Sequence, residues 1–311
     1  MKRKILITGG AGFIGSNLVK RLLEEGNEVV VIDNLLRGNK IEKSVLDRIT
    51  FIKDDVRNYD CILKYSKGCD VIFHFAAVLG VDVVADHPVE TMEVEVIGTR
   101  NVVNAALENG VKKILYASTS GIYGHTAMEK AVVENVIVDP RTSYAIAKRY
   151  NEIYLAAVYE EKGLESISLR FFNIYGTNQD NRMVVPRFFE QAIAGEPITV
   201  FGSGKQTRDF TYIDDTIESC IRLMDKVGGS EIINVANENE SCIDDLATMI
   251  KEITKSKSEI KYIESPKKRY DYEVERRVGD SSKLFKLVGY KPKTKLKEGL
   301  EKIYNSKFNK N

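Results

Sequence analysis

The sequence predicts an α/β protein built on a doubly wound parallel sheet. Short apolar runs rich in β-branched residues alternate with longer amphipathic stretches through the first two-thirds of the 311-residue chain. Such runs are typical of strands buried on both faces, and the alternation favours parallel strands joined by right-handed helical crossovers. The predicted strands are 4–8, 28–33, 50–53, 70–76, 112–118 and 166–170, and the predicted helices lie near 13–25, 88–110 and 144–162.

The last third of the chain predicts a smaller α/β region. Here strands are predicted at 198–201, 232–235 and 260–263, and helices near 186–194, 213–227 and 243–256. Ligands of open α/β sheets bind at the carboxyl ends of the strands, and we expect the second region to cover that edge. We therefore divide the chain into a first domain, 1–170, and a second region, 171–311, with a segment of about 202–228 returning to the first domain.

Charge and composition exclude several classes of protein. The 46 basic and 45 acidic residues leave a net charge of +1, which predicts no binding of nucleic acid or of an anionic membrane. The N-terminal apolar run is broken after Thr8 by two glycines, and it is too short for a signal peptide or a membrane span. The cysteines lack the spacing of a metal site and favour a reducing, cytoplasmic location. They are Cys61, Cys69, Cys220 and Cys242.

A glycine-rich turn after the first strand predicts a dinucleotide site. Gly9, Gly12 and Gly15 follow the strand "KILIT", and Phe13 and Ile14 begin the next helix. The first glycine permits a tight turn, the second lets main-chain N–H groups approach a pyrophosphate, and the third allows close contact of helix and strand. Unpaired N–H groups at the start of the helix favour the phosphates. This strand–turn–helix context predicts a Rossmann-type sheet.

Polar and small residues follow the next three strands, at the same edge of the predicted sheet. Asp33 ends the second strand, where a carboxylate accepts both ribose hydroxyls of an adenosine and repels a 2′-phosphate, which favours NAD over NADP. The other candidates for cofactor contact are Asn34 beside it, Asp55 and Val56 after the third strand, and Phe75, Ala76 and Ala77 after the fourth. The groups after the third and fourth strands are also compatible with ordinary packing at a strand end.

A tyrosine and a lysine on one helix face suggest proton chemistry on an alcohol. Tyr144 and Lys148 are four residues apart, and the ammonium charge favours the phenolate, so the tyrosine can act as a base near neutral pH. The strand 112–118 runs into three hydroxyl residues, Ser118, Thr119 and Ser120, and we expect Thr119 or one of its neighbours to hold the substrate oxygen. A polar turn that only closes the strand is the alternative.

These motifs resemble, in order along nearly the whole chain, those of the extended short-chain dehydrogenase/reductase family, and within it the NAD-dependent nucleotide-sugar epimerases and dehydratases. The resemblance rests on "TGGAGFIGSNL", "HFAA", "STSGIYG", "YAIAK", "LRFFNIYG", "VPRFF", "ITVFGSGKQTRDFTYIDD" and "GYKPKTKLKEGL". It implies a bound NAD that is recycled, with Tyr144 taking the proton of the sugar 4-hydroxyl as hydride leaves C4. It also implies that Lys148 holds the ribose and that Thr119 is the catalytic hydroxyl, with Ser118 and Ser120 as neighbours.

The resemblance also implies the partners, a nucleotide sugar and a second copy of the chain. Asn173 and Arg208 match residues that bind the diphosphate, and Arg277, chosen over Arg276, is the expected second arginine. The residues that fall where the family encloses the nucleotide base are Val185, Arg187, Val200 and Phe201. Relatives usually dimerise through two helices, for which 88–110 and 144–162 are the candidates.

The residues after Thr119 favour a 4-epimerase over a lyase. The 4,6-dehydratases of the family have an Asp–Glu pair there, and the decarboxylases usually have a glutamate at the second position, whereas this chain has Ser120 and Gly121. Chemistry at C5 or C6 needs a titratable group nearby, and epimerisation at C4 does not. We expect a 4-epimerase of a UDP-hexose, a UDP-N-acetylhexosamine or a UDP-uronic acid. The alternatives are a dehydratase or decarboxylase of the same fold and a non-enzymatic NAD-binding scaffold.

One residue departs from the family pattern. In the helix after "HFAA" the family usually has an asparagine, and this chain has Glu95 in "EVIGT". A carboxylate at this position either changes proton handling near the cofactor or turns outward.

Overall fold

The structure, a computed structural model, describes residues 2–78, 81–128, 130–264 and 274–308. The strands are β1 (Lys4–Thr8), β2 (Glu28–Asp33), β3 (Thr50–Lys53), β4 (Val71–His74), β5 (Lys113–Thr119), β6 (Glu165–Phe171), β7 (Ile174–Tyr175), β8 (Ile198–Phe201), β9 (Thr207–Asp209), β10 (Thr211–Tyr212), β11 (Ser230–Val235), β12 (Glu240–Cys242), β13 (Ile260–Ile263) and β14 (Arg276–Arg277). The helices are α1 (Phe13–Glu24), α2 (Lys43–Leu46), α3 (Tyr59–Ser66), α4 (Val81–Asp86), α5 (Pro88–Glu108), α6 (Ser143–Lys162), α7 (Val184–Ala194), α8 (Ile213–Lys226), α9 (Ile243–Thr254), α10 (Ser282–Val288) and α11 (Leu296–Lys307). A 3₁₀ segment covers Ser120–Ala127.

Seven strands form the central sheet, in the order β11-β6-β5-β4-β1-β2-β3. β1 pairs in parallel with β2 and β4, β2 pairs in parallel with β3, and β4 pairs in parallel with β5. The chain begins in the middle of the sheet, runs to one edge and then builds the other side. The doubly wound Rossmann-type fold predicted from the sequence is therefore confirmed.

The structure differs from the sequence-based prediction in the place of β11 and in several short elements, such as α3, that the sequence patterns do not predict. Residues 232–235 are predicted as part of the second region, but as β11 they form the seventh strand of the central sheet, beside β6. Because about sixty residues separate these two strands along the chain, a local apolar pattern carries no signal for their pairing. The short helix α3 is not predicted at all. The side chain of Asn58 accepts the N–H of Cys61 at 3.4 Å and so caps the start of α3.

The chain forms two compact units. The first contains Met1–Ile122, Pro140–Arg170 and Cys220–Ile233, and the second contains Tyr123–Asp139, Phe171–Ser219 and Asn234–Asn311. These units are defined by packing, whereas the predicted domains, 1–170 and 171–311, are defined by the ligand that each would bind, so the domain assignment stays a prediction. In the described part of the chain, no helix has both the length and the apolarity needed to cross a membrane.

The second unit carries three small sheets. In the first, β8 and β13 pair in parallel, and in the second β7 pairs in parallel with β10. In the third, β9 lies between an antiparallel β12 and a parallel β14. The last of these sheets brings together arginines that are far apart in the sequence.

Two long helices of the first unit, α5 and α6, pack against each other and carry much of the candidate site. Pro88 occupies the first position of α5, where its missing N–H and fixed φ are favourable. The Thr142 hydroxyl accepts the N–H of Ala145 at 2.9 Å and caps α6, which ends at Gly163 in the left-handed conformation. The strand β5 runs beside them and ends one residue later than predicted, at Thr119.

Candidate active site

The glycine-rich turn between β1 and α1 needs two of its glycines for space. Gly9 has a φ of +72°, and a Cβ there would lie 2.5 Å from the main-chain N of Ala76, after β4. A Cβ on Gly15 would lie 2.3 Å from the carbonyl oxygen of Gly9. Any side chain at either position would push the start of α1 away from the sheet. The turn therefore places the start of α1 directly above the carboxyl end of β1.

The start of α1 is open and has no side-chain cap. A Cβ on Gly12 would meet only the Gly9 carbonyl oxygen, at 3.3 Å, and Gly12 caps the helix without a side-chain hydrogen bond. The first N–H groups of a helix, here beginning with Phe13 and Ile14, have no partner within the helix. Donors of this kind, with the positive end of the helix dipole, fit a phosphate group.

Asp33, at the end of β2, is held by two main-chain donors. Ala11 N–H donates to its Oδ2 at 2.9 Å, and Leu35 N–H donates to its Oδ1 at 2.8 Å. Burial raises the pKa of the Asp33 carboxyl, while the two N–H groups act in the opposite direction. Each carboxylate oxygen keeps a second lone pair, so the fixed carboxylate fits a ribose diol. Together with the open helix start, this geometry fits a dinucleotide.

The other predicted cofactor contacts line the same sheet edge, with different local roles. Asn34 donates to Asp55 at 3.1 Å, and Arg57 binds Asp55 through two nitrogens, which lowers the pKa of that carboxyl to about 2. Val56 is buried, and a Cβ on Gly98 of α5 would lie 2.6 Å from its Cγ2. In the loop after β4, Phe75 is buried, and Ala76 and Ala77 are partly exposed.

Tyr144 and Thr119 face each other in the first unit. The Thr119 side chain hydrogen-bonds with the Tyr144 phenol, and its Oγ1 also accepts the N–H of Gly121 at 3.0 Å. Burial, followed by the charge of Glu95, raises the pKa of Tyr144, and the bond from Thr119 lowers it. Of the three hydroxyl residues that follow Ala117, only Thr119 is partly exposed; Ser118 and Ser120 are buried. The geometry thus brings Thr119 and Tyr144 together, as the sequence predicts.

Ser118 belongs to a different network. Its hydroxyl donates to Glu152 of α6 at 2.6 Å, and Arg170 of β6 binds the same carboxylate through two nitrogens, at 2.9 Å and 2.8 Å. Arg149 adds a further bond to Glu152 at 3.0 Å. Glu152 and Arg170 are both buried, so this network joins β5, α6 and β6. Sequence reasoning missed Glu152, although it lies four residues after Lys148 on the same face of the helix.

Lys148 forms a fully buried ion pair with Glu95. Its Nζ lies 2.9 Å from Glu95 Oε2, and both side chains are 0% exposed. The same Nζ lies 4.6 Å from the ring centroid of Tyr116 and 5.4 Å from that of Tyr144. Asn151 donates both to the main-chain oxygen of Glu95, at 3.0 Å, and to the Tyr116 hydroxyl, at 2.8 Å. The carboxylate that departs from the family pattern therefore turns inward, to the lysine.

A buried histidine, His74, completes this part of the first unit. Its Nδ1 lies 2.7 Å from Thr8 Oγ1, and its Nε2 lies 3.1 Å from Thr99 Oγ1. Burial, and then the charge of Lys148, lowers the pKa of His74 to about 3. His74 is therefore neutral near pH 7 and joins β1, β4 and α5 by hydrogen bonds.

Two arginines stand side by side in the third sheet of the second unit. Arg277 of β14 is in register with Arg208 of β9. Burial, and then the charge of Arg208, lowers the pKa of Arg277 to about 10, and its buried Nε has no hydrogen-bond acceptor among the described residues. Arg276, by contrast, binds the carboxylate of Glu240 through Nε, at 2.9 Å, and through a terminal nitrogen, at 2.8 Å. Two adjacent cations fit an anion such as a diphosphate.

The remaining predicted substrate residues lie in the same unit. Asn173 has a φ of +30° and donates to the main-chain oxygen of Asp209 at 3.2 Å. The Arg187 guanidinium lies 4.6 Å from the ring centroid of Phe201, and both side chains are partly exposed. Val185 and Val200 are buried, so any contact of theirs with a ligand would use main-chain atoms.

Comparisons with known proteins identify the family of this chain. Residues 5–236 match the model of the NAD dependent epimerase/dehydratase family. The chain is 36% identical over 312 residues to the UDP-N-acetyl-alpha-D-glucosaminuronate decarboxylase of Bacillus cytotoxicus, covering 97% of this chain and 96% of the relative.

Two solved structures show the same fold. The UDP-glucose 4-epimerase of Thermotoga maritima, solved with UDP-glucose, is 32% identical with a TM-score of 0.90, over 96% of this chain and 97% of that one. The UDP-glucose 4-epimerase of Thermus thermophilus, solved with NAD, is 29% identical with a TM-score of 0.88, over 97% and 98%. The matching relatives include both epimerases and decarboxylases, so they show the kind of enzyme but not its reaction. The chain belongs to the NAD dependent epimerase/dehydratase family, and its cofactor is NAD.

Proposed function

We propose that this chain is a nucleotide-sugar 4-epimerase that acts on a UDP-sugar. The observation that carries the proposal is the turn after β5. Thr119 faces Tyr144 there, and the two residues that follow, Ser120 and Gly121, provide no carboxylate. A dehydratase needs an acid and a base at C5 and C6, whereas a 4-epimerase needs neither.

The backbone of this turn does not require a glycine. Gly121 is absent from the residues with positive φ. A Cβ on it would meet Thr119 Oγ1 at 3.3 Å, Thr119 Cγ2 at 3.6 Å and Ala145 Cβ at 4.0 Å. A side chain would fit after a shift of a few tenths of an ångström. The missing carboxylate is therefore a difference in chemistry and not a steric requirement.

Three side chains of the first unit do the proton chemistry in this proposal. Tyr144 accepts the proton of the sugar O4 and later returns it. The Thr119 hydroxyl binds the same oxygen and the phenol, and its bond lowers the pKa of Tyr144. The Lys148 ammonium, whose nitrogen lies 5.4 Å from the Tyr144 ring centroid, adds a positive charge near the phenolate. NAD, when bound, would supply the hydride acceptor and donor for C4. Between the two transfers the ketone presents its other face, so the configuration at C4 is inverted and no atom is lost.

Residues of the second unit support a substrate that is bound through a nucleoside diphosphate moiety. Arg208 and Arg277 provide two adjacent cations for the diphosphate, and Asn173 lies in the loop between β6 and β7. The partly exposed pair of Arg187 and Phe201 supports stacking of a base. UDP is favoured because UDP-glucose is bound in the Thermotoga neighbour. The sugar is a hexose, its N-acetyl derivative or a uronic acid.

A UDP-uronate decarboxylase is the second candidate. The 36% identity with the Bacillus decarboxylase favours it. A uronic acid oxidised at C4 is a β-keto acid, which loses CO₂ readily, and the resulting enolate then takes a proton at C5. The missing carboxylate at Gly121 therefore argues more strongly against a dehydratase than against a decarboxylase.

A homodimer in the cytoplasm remains part of the proposal. Seven large apolar or aromatic side chains of α5 and α6 are exposed in the single chain, and a second copy would cover part of this set: Val89, Met92, Ile97, Ile146, Tyr150, Ile153 and Tyr159. The four cysteines form no disulfide, which is compatible with a reducing compartment.

Product analysis tests the reaction. The protein with NAD is incubated separately with UDP-glucose, UDP-galactose, UDP-N-acetylglucosamine and UDP-glucuronic acid, and products are followed by proton NMR. We expect one pair of C4 epimers to reach the same mixture from either side, and Tyr144→Phe to abolish the conversion. A UDP-pentose or a 4-keto-6-deoxy sugar would contradict the epimerase. Unchanged sugars with NAD still bound would favour the non-enzymatic scaffold.

A further inference from the structure

The buried pair of Glu95 and Lys148 brings a carboxylate close enough to the proposed base, Tyr144, to act on its pKa. Glu95 lies on α5 and Lys148 on α6, and their charged atoms are 2.9 Å apart with neither side chain exposed. A charge pair without water between its members is screened little, so each charge acts on its neighbours. The neighbour that matters for the reaction is Tyr144, whose ring centroid lies 5.4 Å from the Lys148 nitrogen.

We propose that Glu95 is a positioning residue that holds the Lys148 ammonium and offsets its charge, so that three groups, and not two, set the proton affinity of Tyr144. This inference rests on the proposed role of Tyr144 as the base. Lysine alone would favour the phenolate. The Glu95 carboxylate opposes that effect, because its charge raises the pKa of Tyr144 and keeps the phenol protonated to higher pH.

Among the described residues, the other groups around the pair are neutral, except for the nearby Glu152, whose carboxylate is already bound by Arg170 and Ser118. Asn151 and Tyr116 bind Glu95 as neutral groups, since burial, and then the Glu95 charge, raises the pKa of Tyr116. His74, on the Lys148 side, is neutral because burial lowers its pKa to about 3. The titratable or polar groups that face the pair are Tyr144, Asn151 and the nearby Glu152 on α6, Tyr116 on β5, His74 on β4, and the main-chain N–H of Val78.

The pair is incompletely satisfied, which agrees with a role beyond structure. Within the described part of the chain, Glu95 Oε1 and Lys148 Nζ make no well-aligned hydrogen bond, although the two groups form a close ion pair. Buried groups normally complete their hydrogen bonds. The carboxylate fixes where the lysine nitrogen lies.

The helix α5 also offers a matched control for substitutions of Glu95. Glu93 lies two residues earlier in α5 and is exposed. Glu93→Gln removes the same charge from the same helix, but water screens it. Glu95→Asp keeps the charge one carbon–carbon bond further from the lysine, and Glu95→Asn introduces the residue that the family usually has.

The test is a pH titration of the Tyr144 phenol in the NAD-bound protein. Tyrosine labelled with ¹³C at Cζ is followed by NMR, and Tyr144→Phe assigns the signal. We expect the Tyr144 signal to move toward the phenolate shift at a pH about one unit lower in Glu95→Gln and in Glu95→Asn than in the unaltered chain. Glu93→Gln should leave the Tyr144 midpoint unchanged. Glu95→Asp, which keeps the negative charge, should have a midpoint close to that of the unaltered chain.

The proposal is overturned if Glu95→Gln and Glu95→Asn leave the Tyr144 midpoint unchanged or raise it, since a purely structural Glu95 would only weaken the fold. The readout needs no sugar. A shifted titration in a protein that converts none of the UDP-sugars would therefore leave this inference standing while the proposed reaction fails. With a converted sugar, the acid limb of the pH–rate profile should move by the same interval, giving about fivefold faster turnover one unit below the original midpoint.

Discussion

The pair of Glu95 and Lys148 predicts that one substitution has opposite effects on stability in two backgrounds. In the otherwise unchanged chain, Glu95→Gln leaves a lysine that is 0% exposed without its counter-charge, and we expect a loss of about 3–5 kcal/mol in the free energy of unfolding. In a Lys148→Met background the same Glu95→Gln removes a lone buried carboxyl. There it should stabilise the protein.

Protonation sets the size of the second effect. In Lys148→Met the lone Glu95 can escape its burial penalty by taking up a proton, which costs about 1.36 kcal/mol for each pH unit above its ordinary pKa of about 4.3. The penalty therefore cannot exceed about 5 kcal/mol at pH 8 or about 1.6 kcal/mol at pH 5.5. Because the folded state binds this proton more tightly than the unfolded chain, the stability of Lys148→Met falls as the pH rises above about 4.3. Glu95→Gln should remove that slope.

Urea denaturation followed by far-ultraviolet circular dichroism measures these free energies at pH 5.5 and pH 8. Lys148→Met and the double variant both lack the lysine, so any effect of the lysine on cofactor binding is common to both, and their difference in the free energy of unfolding reports Glu95 alone. We expect the double variant to be more stable than Lys148→Met by about 2–4 kcal/mol at pH 8 and by less than 2 kcal/mol at pH 5.5. An effect of Glu95→Gln with the same sign and size in both backgrounds would show that Glu95 and Lys148 are not coupled.

Three further predictions follow from single contacts. Gly121→Ala should fold normally and lower kcat severalfold with little change in KM, because its Cβ would lie 3.3 Å from Thr119 Oγ1 and displace that hydroxyl; an unchanged kcat would contradict the placement of Thr119. Arg277→Ala should weaken UDP binding by calorimetry about tenfold to a hundredfold and Arg276→Ala less than threefold, since Arg276 is held by Glu240; equal losses would contradict the choice. The pKa of His74 is lowered to about 3, so between about pH 6.5 and pH 3 the unfolded chain binds a proton at this histidine and the folded chain does not. The free energy of unfolding therefore decreases as the pH is lowered through this range. His74→Gln should remove roughly 3 kcal/mol of the stability difference between pH 7 and pH 4 in urea denaturation, and an unaltered pH dependence would show that His74 titrates normally.

The central sheet is predictable from the sequence because its local signals agree with one another. Apolar runs, the glycine turn and the helix patterns each identify the same strand–turn–helix units, and six of the seven strands follow from them. The seventh, β11, is formed by residues whose partner strand lies far away in the sequence. Its pairing depends on the path of the whole chain, and no local period contains that information.

The candidate site is predictable to the extent that spacing fixes geometry. Tyr144 and Lys148 share a face because they are four residues apart on a helix, and Thr119, the last residue of β5, alternates with the buried Ser118 along that strand. The partners of these residues are less visible in the sequence. Glu152 binds Ser118 across two elements, as a pair of residues 34 positions apart.

Glu95 and Arg277 show what the structure adds to a motif. The sequence identifies Glu95 as an unusual residue, but only the packing of α5 on α6 shows that its carboxylate meets Lys148. The sequence alone does not distinguish Arg276 from Arg277 as the arginine that would bind an anion. The third sheet distinguishes them, because Glu240 lies beside one arginine and Arg208 beside the other.

Solvent deuterium in the product is the most direct test of a 4-epimerase. In D₂O, the protein with NAD is incubated with the UDP-sugar that it converts, and deuterium at C4 and C5 of the product is measured by NMR and mass spectrometry. In the proposed reaction the C4 hydrogen leaves and returns without meeting solvent, and the bond at C5 is never broken. For a 4-epimerase we expect a C4-inverted product with no deuterium at either carbon. Deuterium at C5, together with loss of CO₂ or of water, would contradict it.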